Sequence, residues 1–341
     1  MTPTALVFRA GRMTLRIRRR SLVVGTVLLV TAAATVVLAL TIGAGGIPLP
    51  SLLHALAPDA APAERLVFEW RGARAVAAVL FGGALAIGGA VFQTLTRNPL
   101  GSPDVIGLGA GSYAGVIAVV MVGGSGFLST ALGAFAGGLV AAALVYGLAY
   151  RKGTHGFRLV VVGIAVGAIL RALTSWFTVK ADLDAALRAA IWDAGSLYGM
   201  TWPNLAAAAA ALLIVTLAVP LAARRLPLLD LGDDAATALG LRVEPTKAFL
   251  VVLGVAATAI VTAVAGPISF IALAAPQIAR RLTSGGTSLT ASALVGAALL
   301  GGADLVAQHL IPGVTLPVGG VTVVIGGTYL IWLLIREGRK T

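Results

Sequence analysis

Residues 71–107 read RGARAVAAVLFGGALAIGGAVFQTLTRNPLGSPDVIG, and this stretch decides the fold. Between Arg74 and Arg97 there is no charged side chain. A helix of about 20 apolar residues crosses the ~30 Å hydrocarbon core of a bilayer, so 75–95 reads as a membrane span. Gly82, Gly83, Gly88 and Gly89 recur along it, as expected of a helix whose neighbours pack backbone to backbone in lipid. After Arg97, Pro99 and Pro103 flank a segment that cannot continue the helix, because proline lacks the amide donor and restricts the residue before it.

The same reading extends outward in both directions. Apolar runs at 21–42, 159–179, 203–222, 286–308 and 316–335 each suffice for one span. The block 105–149 is too long for one and divides at Gly123-Gly-Ser-Gly126 into 105–122 and 127–149. The block 248–282 divides at Gly266-Pro267 into 248–265 and 268–282. The expectation is an all-α polytopic membrane protein with ten transmembrane helices.

Composition agrees. Of 341 residues, 58% are hydrophobic and 11% charged, against about 45–50% and 25% in soluble domains. Mean hydropathy is +0.98. Cysteine is absent and the three histidines (His54, His155, His309) are far apart, which leaves no disulfide framework and no thiol or His-rich metal site. The net charge of +12 would otherwise suggest nucleic acid. Its distribution says otherwise. With the N-terminus cytoplasmic, ten spans put 19 of the 25 basic residues inside and five outside, with Arg171 in a span. That asymmetry follows the positive-inside rule. Residues 1–20 are then a basic cytoplasmic segment, 21–336 the ten-span domain and 337–341 a cytoplasmic tail. The first run is 22 residues long with no A-x-A-like cleavage site, so it reads as an uncleaved span rather than a signal peptide.

Absent motifs narrow the function. There is no G-x-x-x-x-G-K-[ST], no H-E-x-x-H and no G-x-S-x-G. The chain therefore holds no ATP through a P-loop and carries no recognisable hydrolytic site. Asp304 is the only acidic residue deep in a span. It reads as a helix–helix hydrogen bond rather than half of an ion-coupling pair.

The string Arg71-x-x-Arg74, Gly83-Ala-Leu-Ala-x-x-Gly-x-x-x-Gln93, Arg97-Asn-Pro-Leu-Gly-x-Pro-Asp104-x-x-Gly107 is similar to the signature of FecCD-type permeases. These are the membrane subunits of ABC importers for iron–siderophores, haem and vitamin B12. The resemblance continues through Trp192-Asp-Ala-Gly-Ser-Leu197, Leu231-Gly-Asp-Asp-Ala-Ala-x-x-Leu-Gly240, Ala265-Gly-Pro-Ile-x-Phe-Ile-x-Leu-x-Ala-Pro-Gln-Ile-Ala-Arg280, Ala303-Asp-Leu305 and Leu316-Pro-Val-Gly319. It covers nearly the whole chain from about residue 21. Within the family, Ala-Pro-Gln-Ile-Ala-Arg-Arg and the Gly-Gly-x-Tyr-Leu-x-Trp-Leu-Leu-Ile-Arg-Glu string look most like the ferric-catecholate, enterobactin-type branch.

The resemblance implies the type II ABC importer permease fold, with an inverted repeat of five plus five helices. It implies two such permeases, either identical or, as often in the enterobactin type and favoured here, a heterodimer of two different chains, above two cytoplasmic ATPases that bind ATP and Mg, with a periplasmic or lipid-anchored binding protein outside. The permease itself then binds no cofactor or metal and catalyses no reaction. Loop 223–247 corresponds to the ATPase-coupling helix, carried by Leu231, Gly232, Asp233, Asp234, Ala235, Ala236, Leu239 and Gly240. Read alone, it is a capped surface helix: aspartates at its start suit the helix dipole and Gly240 suits a left-handed cap. Arg71 and Arg74 correspond to outward arginines that pair with the binding protein; read alone, they are snorkelling anchors. Thr315 stands where the family often has an acidic residue, and Gln308 where some members carry another docking arginine.

Arg171 is the basic residue inside a span. On insertion scales this costs about 2.5–3.5 kcal/mol, and such residues usually face a cavity or partner. Either it snorkels to the interface, or it lines the passage for an anionic ferric chelate. Asn98, Leu100, Thr154 and His155 match positions near the family's cytoplasmic constriction. An ion-coupled secondary transporter is the competing class, since Gly-Pro-broken spans suit it too, but it should show more mid-membrane polar groups. Within the family, haem, cobalamin or another siderophore are alternative cargoes.

Overall fold

The computed structural model describes residues 5–10, 13–43, 46, 48–51, 54, 57, 60–104, 107–124, 126–150, 156–283 and 286–338. The chain begins with a hairpin, β1 (Ala5–Ala10) and β2 (Met13–Arg18), paired antiparallel with Ala10 opposite Met13 and Ala5 opposite Arg18. The basic segment thus contains regular structure that an all-α reading did not include. Helices α1 (Arg19–Thr41), α2 (Pro62–Val67) and α3 (Ala73–Thr96) follow. A single π-helical turn, Phe68–Gly72, joins the last two. Then come α4 (Leu108–Met121), α5 (Phe127–Ala149), α6 (Gly156–Lys180) and α7 (Leu183–Asp193). The last six are α8 (Trp202–Asp230), α9 (Asp233–Ala238), α10 (Val243–Ala265), α11 (Ile271–Thr283), α12 (Leu289–His309) and α13 (Val318–Gly338).

Each of the ten predicted spans has a helix. By length and composition, seven helical stretches among the described residues can cross a membrane, and α4 and part of α13 are shorter apolar helices. Helix α11 is 13 residues with Pro276 inside it, about 20 Å at 1.5 Å per residue. The multi-pass character is clear, while the count of ten is not reached on these criteria.

Helix α3 is the axis of the molecule, with most of its residues buried. A Cβ added to Gly82 would strike the Gly296 carbonyl of α12, and one added to Gly296 would strike that of Gly82. The two backbones touch because neither carries a side chain there. Helices α4 and α5 repeat the device: Gly111 and Gly115 face Gly133 and Gly137, two Gly-x-x-x-Gly faces of the kind that lets helices close in lipid. The core between these contacts is apolar, built around Phe81, Leu85, Leu197, Ile268 and Leu300. Away from the axis the surface is oily. Leu29 and Val30 on α1, Ile164 and Ile169 on α6, and Ile214 and Leu217 on α8 are exposed. Such a patchwork belongs against lipid or another membrane helix.

Two breaks shape the fold. After α3, the chain turns at Arg97 in the left-handed region (φ 50, ψ 33) and folds back. The ring of Pro103 then lies 3.6 Å from where a Cβ on Gly88 would sit. Gly88 is two turns inside the helix, so α4 starts part-way along the bundle, which explains its 14 residues. The second break runs from Gly266 (φ 70) to Phe270 (φ 69). It is pinned by Ser196 N–H donating to Ala265 O (2.8 Å) and Gly319 N–H to Gly195 O (2.9 Å).

Loop 223–247 is mostly helical. Helix α8 continues through Pro220 and Pro227 to Asp230, and only residues 231–232 and 239–242 remain outside helices.

Candidate functional site: the basic end and its exposed short helix

Helix direction alternates along the chain, which gathers Arg97, Arg158, Arg224, Arg242, Lys247 and Arg280 at one end of the bundle. Helix α9 protrudes there between α8 and α10. Its own Ala236 is buried on the inward face, while Leu231 and Leu239 on its flanks are 63% and 60% exposed. Asp234 and Ala235 are exposed beside them. Gly232 (φ 109) and Gly240 (φ 84) make the tight turns at either side. The Asp233 carboxylate turns back towards the bundle, where it accepts from Arg97 Nη2 at 2.6 Å and Lys247 Nζ at 2.7 Å.

Next to α9 the fold-back turn is firmly held. Asn98 Oδ1 accepts the Leu100 N–H at 2.9 Å, a local turn that leaves Leu100 exposed. Gln277 Nε2 of α11 donates to Pro99 O at 2.8 Å. Gln93 Nε2 donates to Leu273 O at 2.9 Å, and Arg280 Nη2 donates to Gln93 Oε1. A cleft of about 520 Å³ opens here between Gln93, Asn98, Asp230, Gln277, Arg280 and Arg281. Sequence reasoning quoted Gln93 and Gln277 only as letters of a motif, and missed Arg97 and Lys247 as partners of Asp233. Thr154 and His155 lie outside the described residues.

Arg171 is exposed on α6. Its guanidinium reaches back along its own helix, 3.4 Å from where a Cβ on Gly167 would sit. It shares no site with Asn98 or Leu100, which sit at the basic end.

At the opposite end the two expected docking arginines separate. Arg71 lies in the π turn, half-buried, and donates to Ile42 O at 2.7 Å, closing the end of α1. Arg74 is only 8% exposed, and Asp304 only 1%. Its Nε and Nη2 meet Asp304 Oδ1 at 3.0 and 2.8 Å, and Gln308 Nε2 donates to Asp304 Oδ2 at 2.7 Å. Arg74 therefore does not stand outward as the docking expectation required. A carboxylate on α12 satisfies it inside the bundle, as a buried guanidinium demands. Asp304 makes the helix–helix contact read from its isolation. Among the described residues, no group of three or more His, Cys, Asp or Glu could hold a metal ion.

With this geometry in place, comparison with known proteins is direct. The model of the FecCD transport family matches residues 28–336. The chain is 45% identical to the ferric enterobactin transport system permease protein FepG of Escherichia coli K12, over 94% of this chain and 98% of that one. It is 37% identical to the permease protein FepD of the same system, over 94% and 97%. Among solved structures, it superposes with TM-score 0.82 and 25% identity on an ABC transporter assigned to the metal-chelate type in an inward-facing conformation, covering 92% of this chain and 99% of that one. The chain belongs to the FecCD transport family.

Proposed function

We propose that the protein is the membrane-spanning permease subunit of an ATP-binding cassette importer, and that its cargo is an iron–siderophore complex, a ferric catecholate of the enterobactin kind. The observation that carries this reading is the 45% identity to a ferric enterobactin permease along almost the whole of both chains. Helix α9 supports it mechanically. Its flanking leucines face away from the bundle while Asp233 ties it inward, which suits a knob seated in a groove of a cytoplasmic ATPase. That ATPase would bind the ATP and Mg, and this chain would hydrolyse nothing.

In this scheme the basic end faces the cytoplasm, as the charge asymmetry requires, and the membrane is the cytoplasmic one. ATP binding draws two coupling helices together, the cavity between two permeases reorients, and the chelate passes unaltered. Arg171 offers a positive charge to an anionic chelate, while Asn98 and Leu100 contribute to the inner constriction, a role the family resemblance also assigns to Thr154 and His155. Arg71 is the arginine left to meet a binding protein's acidic side chains. The second permease is a different chain, because two permeases of one transport system both resemble this protein. The exposed apolar faces of α6 and α8 suit such a partner or lipid. Against ion-coupled transport stands the use of Asp304, whose carboxylate is taken up by Arg74 and Gln308.

The test is radio-iron uptake by a deletion strain carrying the gene, offered iron as catecholate, hydroxamate or haem, with labelled cobalamin in parallel. Restored uptake of the catecholate alone is expected. Restoration only with haem or cobalamin would replace the cargo. Uptake that persists without a co-purifying ATPase would remove the importer reading.

A further inference from the structure

One carboxylate at the start of α9 is held by two other helices, and the two holds are unlike. Lys247, in the first turns of α10, has its side chain 8% exposed and lies 2.7 Å from Asp233 Oδ2, with Glu244 Oε1 further off at 3.7 Å. Arg97, the residue that caps α3, is 51% exposed and lies 2.6 Å from Oδ1. Removing the nearer counter-charge from a buried ammonium is unfavourable, whereas an exposed ion pair rearranges at little cost. The Lys247 arm is thus the lasting attachment of α9, and the Arg97 arm the exchangeable one.

What lies beyond Arg97 gives the exchange a destination. Arg97 donates its backbone N–H into the end of α3, and the next residue, Asn98, folds the turn onto Leu100. Pro99 in that turn is bonded to Gln277 of α11. From the Asp233 carboxylate to α11 the route is an ion pair, one tight turn and one amide hydrogen bond.

We propose that Asp233 is a positioning residue which passes displacement of α9 to the Asn98–Leu100 turn through Arg97, while Lys247 keeps α9 attached. The proposal rests on the reading of α9 as the coupling helix. It adds that transmission runs through a specific breakable contact rather than through α8 and α10 alone. Arg97 stands at the junction of two segments, the turn and α9, that the sequence presents as unrelated.

The experiment uses the assembled transporter in vesicles and measures chelate carried per ATP hydrolysed, with thermal stability alongside. Arg97→Gln should keep basal ATP hydrolysis and stability while transport per ATP falls about five- to tenfold, the lower range of a coupling between sites. Arg97→Lys, which keeps the charge, should recover most of it. An unchanged ratio in Arg97→Gln, or equal loss in both variants, would overturn the proposal. If Arg97→Gln does not assemble, Arg97→Met removes the same contact while leaving the Lys247–Asp233 pair intact, and is held to the same ratio. A photocrosslinker on Ala235→Cys separates the two readings. Crosslinking to the ATPase together with a wild-type ratio in Arg97→Gln sinks only the transmission route. Absence of crosslinking sinks the coupling-helix reading itself.

Discussion

Replacing Asp304 by alanine tests whether the Arg74 contact is a structural lock. Arg74 would lose three hydrogen-bond contacts, at 3.0, 3.2 and 2.8 Å, and with them its buried carboxylate partner. Breaking a buried pair by removing one partner typically costs about 3–5 kcal/mol, because the remaining charge is left uncompensated. Gln308 would also lose its acceptor, adding roughly 1.5–3 kcal/mol for a hydrogen bond to a charged group. Asp304→Ala should therefore lower the thermal midpoint in detergent by several degrees. Arg74→Ala should do the same. The paired replacement Arg74→Met with Asp304→Leu, which leaves no charge unpaired, should recover most of the loss, since apolar substitutes for a buried pair are often neutral. Transport in the paired variant then reports whether Arg74 has any duty beyond the lock. Additive losses in the paired variant, or a wild-type midpoint in Asp304→Ala, would refute the reasoning.

Two further outcomes are expected. Gly82→Ala should cost about 1–3 kcal/mol as an overpacked contact, because its Cβ meets the Gly296 backbone, whereas Gly83→Ala, with its nearest neighbour at 3.5 Å, should leave expression and thermal stability close to wild type; equal effects would contradict the assigned face. Arg171→Ala should reduce uptake of an anionic ferric chelate more than that of a neutral one, measured as initial rates in the same strain, and equal loss for both would remove its role towards charge.

The long apolar runs made most of the bundle legible, because a span announces itself by length and lack of charge alone. Helix α7 was not, since its 11 residues mix Asp184, Arg188 and Asp193 with alanine and leucine, too short and too polar for that signal. The continuation of α8 past Pro220 and Pro227 also ran against local rules. A proline removes one backbone bond, but Ala222, Leu226 and Leu229 are buried beyond the first of them, and their packing outweighs it. At the site, the motif order located α9 and its glycines correctly. It misjudged Arg74, because the partner lies 230 residues away and no local pattern marks it. Asp233 likewise has the local pattern of a dipole complement, whereas its partners Arg97 and Lys247 come together on it only in the fold.

The glycine contact between α3 and α12 has a mechanical consequence. Helices separated by side chains can shear past one another by small rotamer adjustments. Where Gly82 and Gly296 put carbonyl against α-carbon, no such cushion exists, and sliding would drive one backbone into the other. The two helices must therefore swing as a single lever, with Arg74 and Asp304 riveting one end of it. Bending is displaced to the irregular stretches that interrupt the bundle, residues 97–104 and Gly266–Phe270, so the stiffest seam in the molecule dictates where its joints can be.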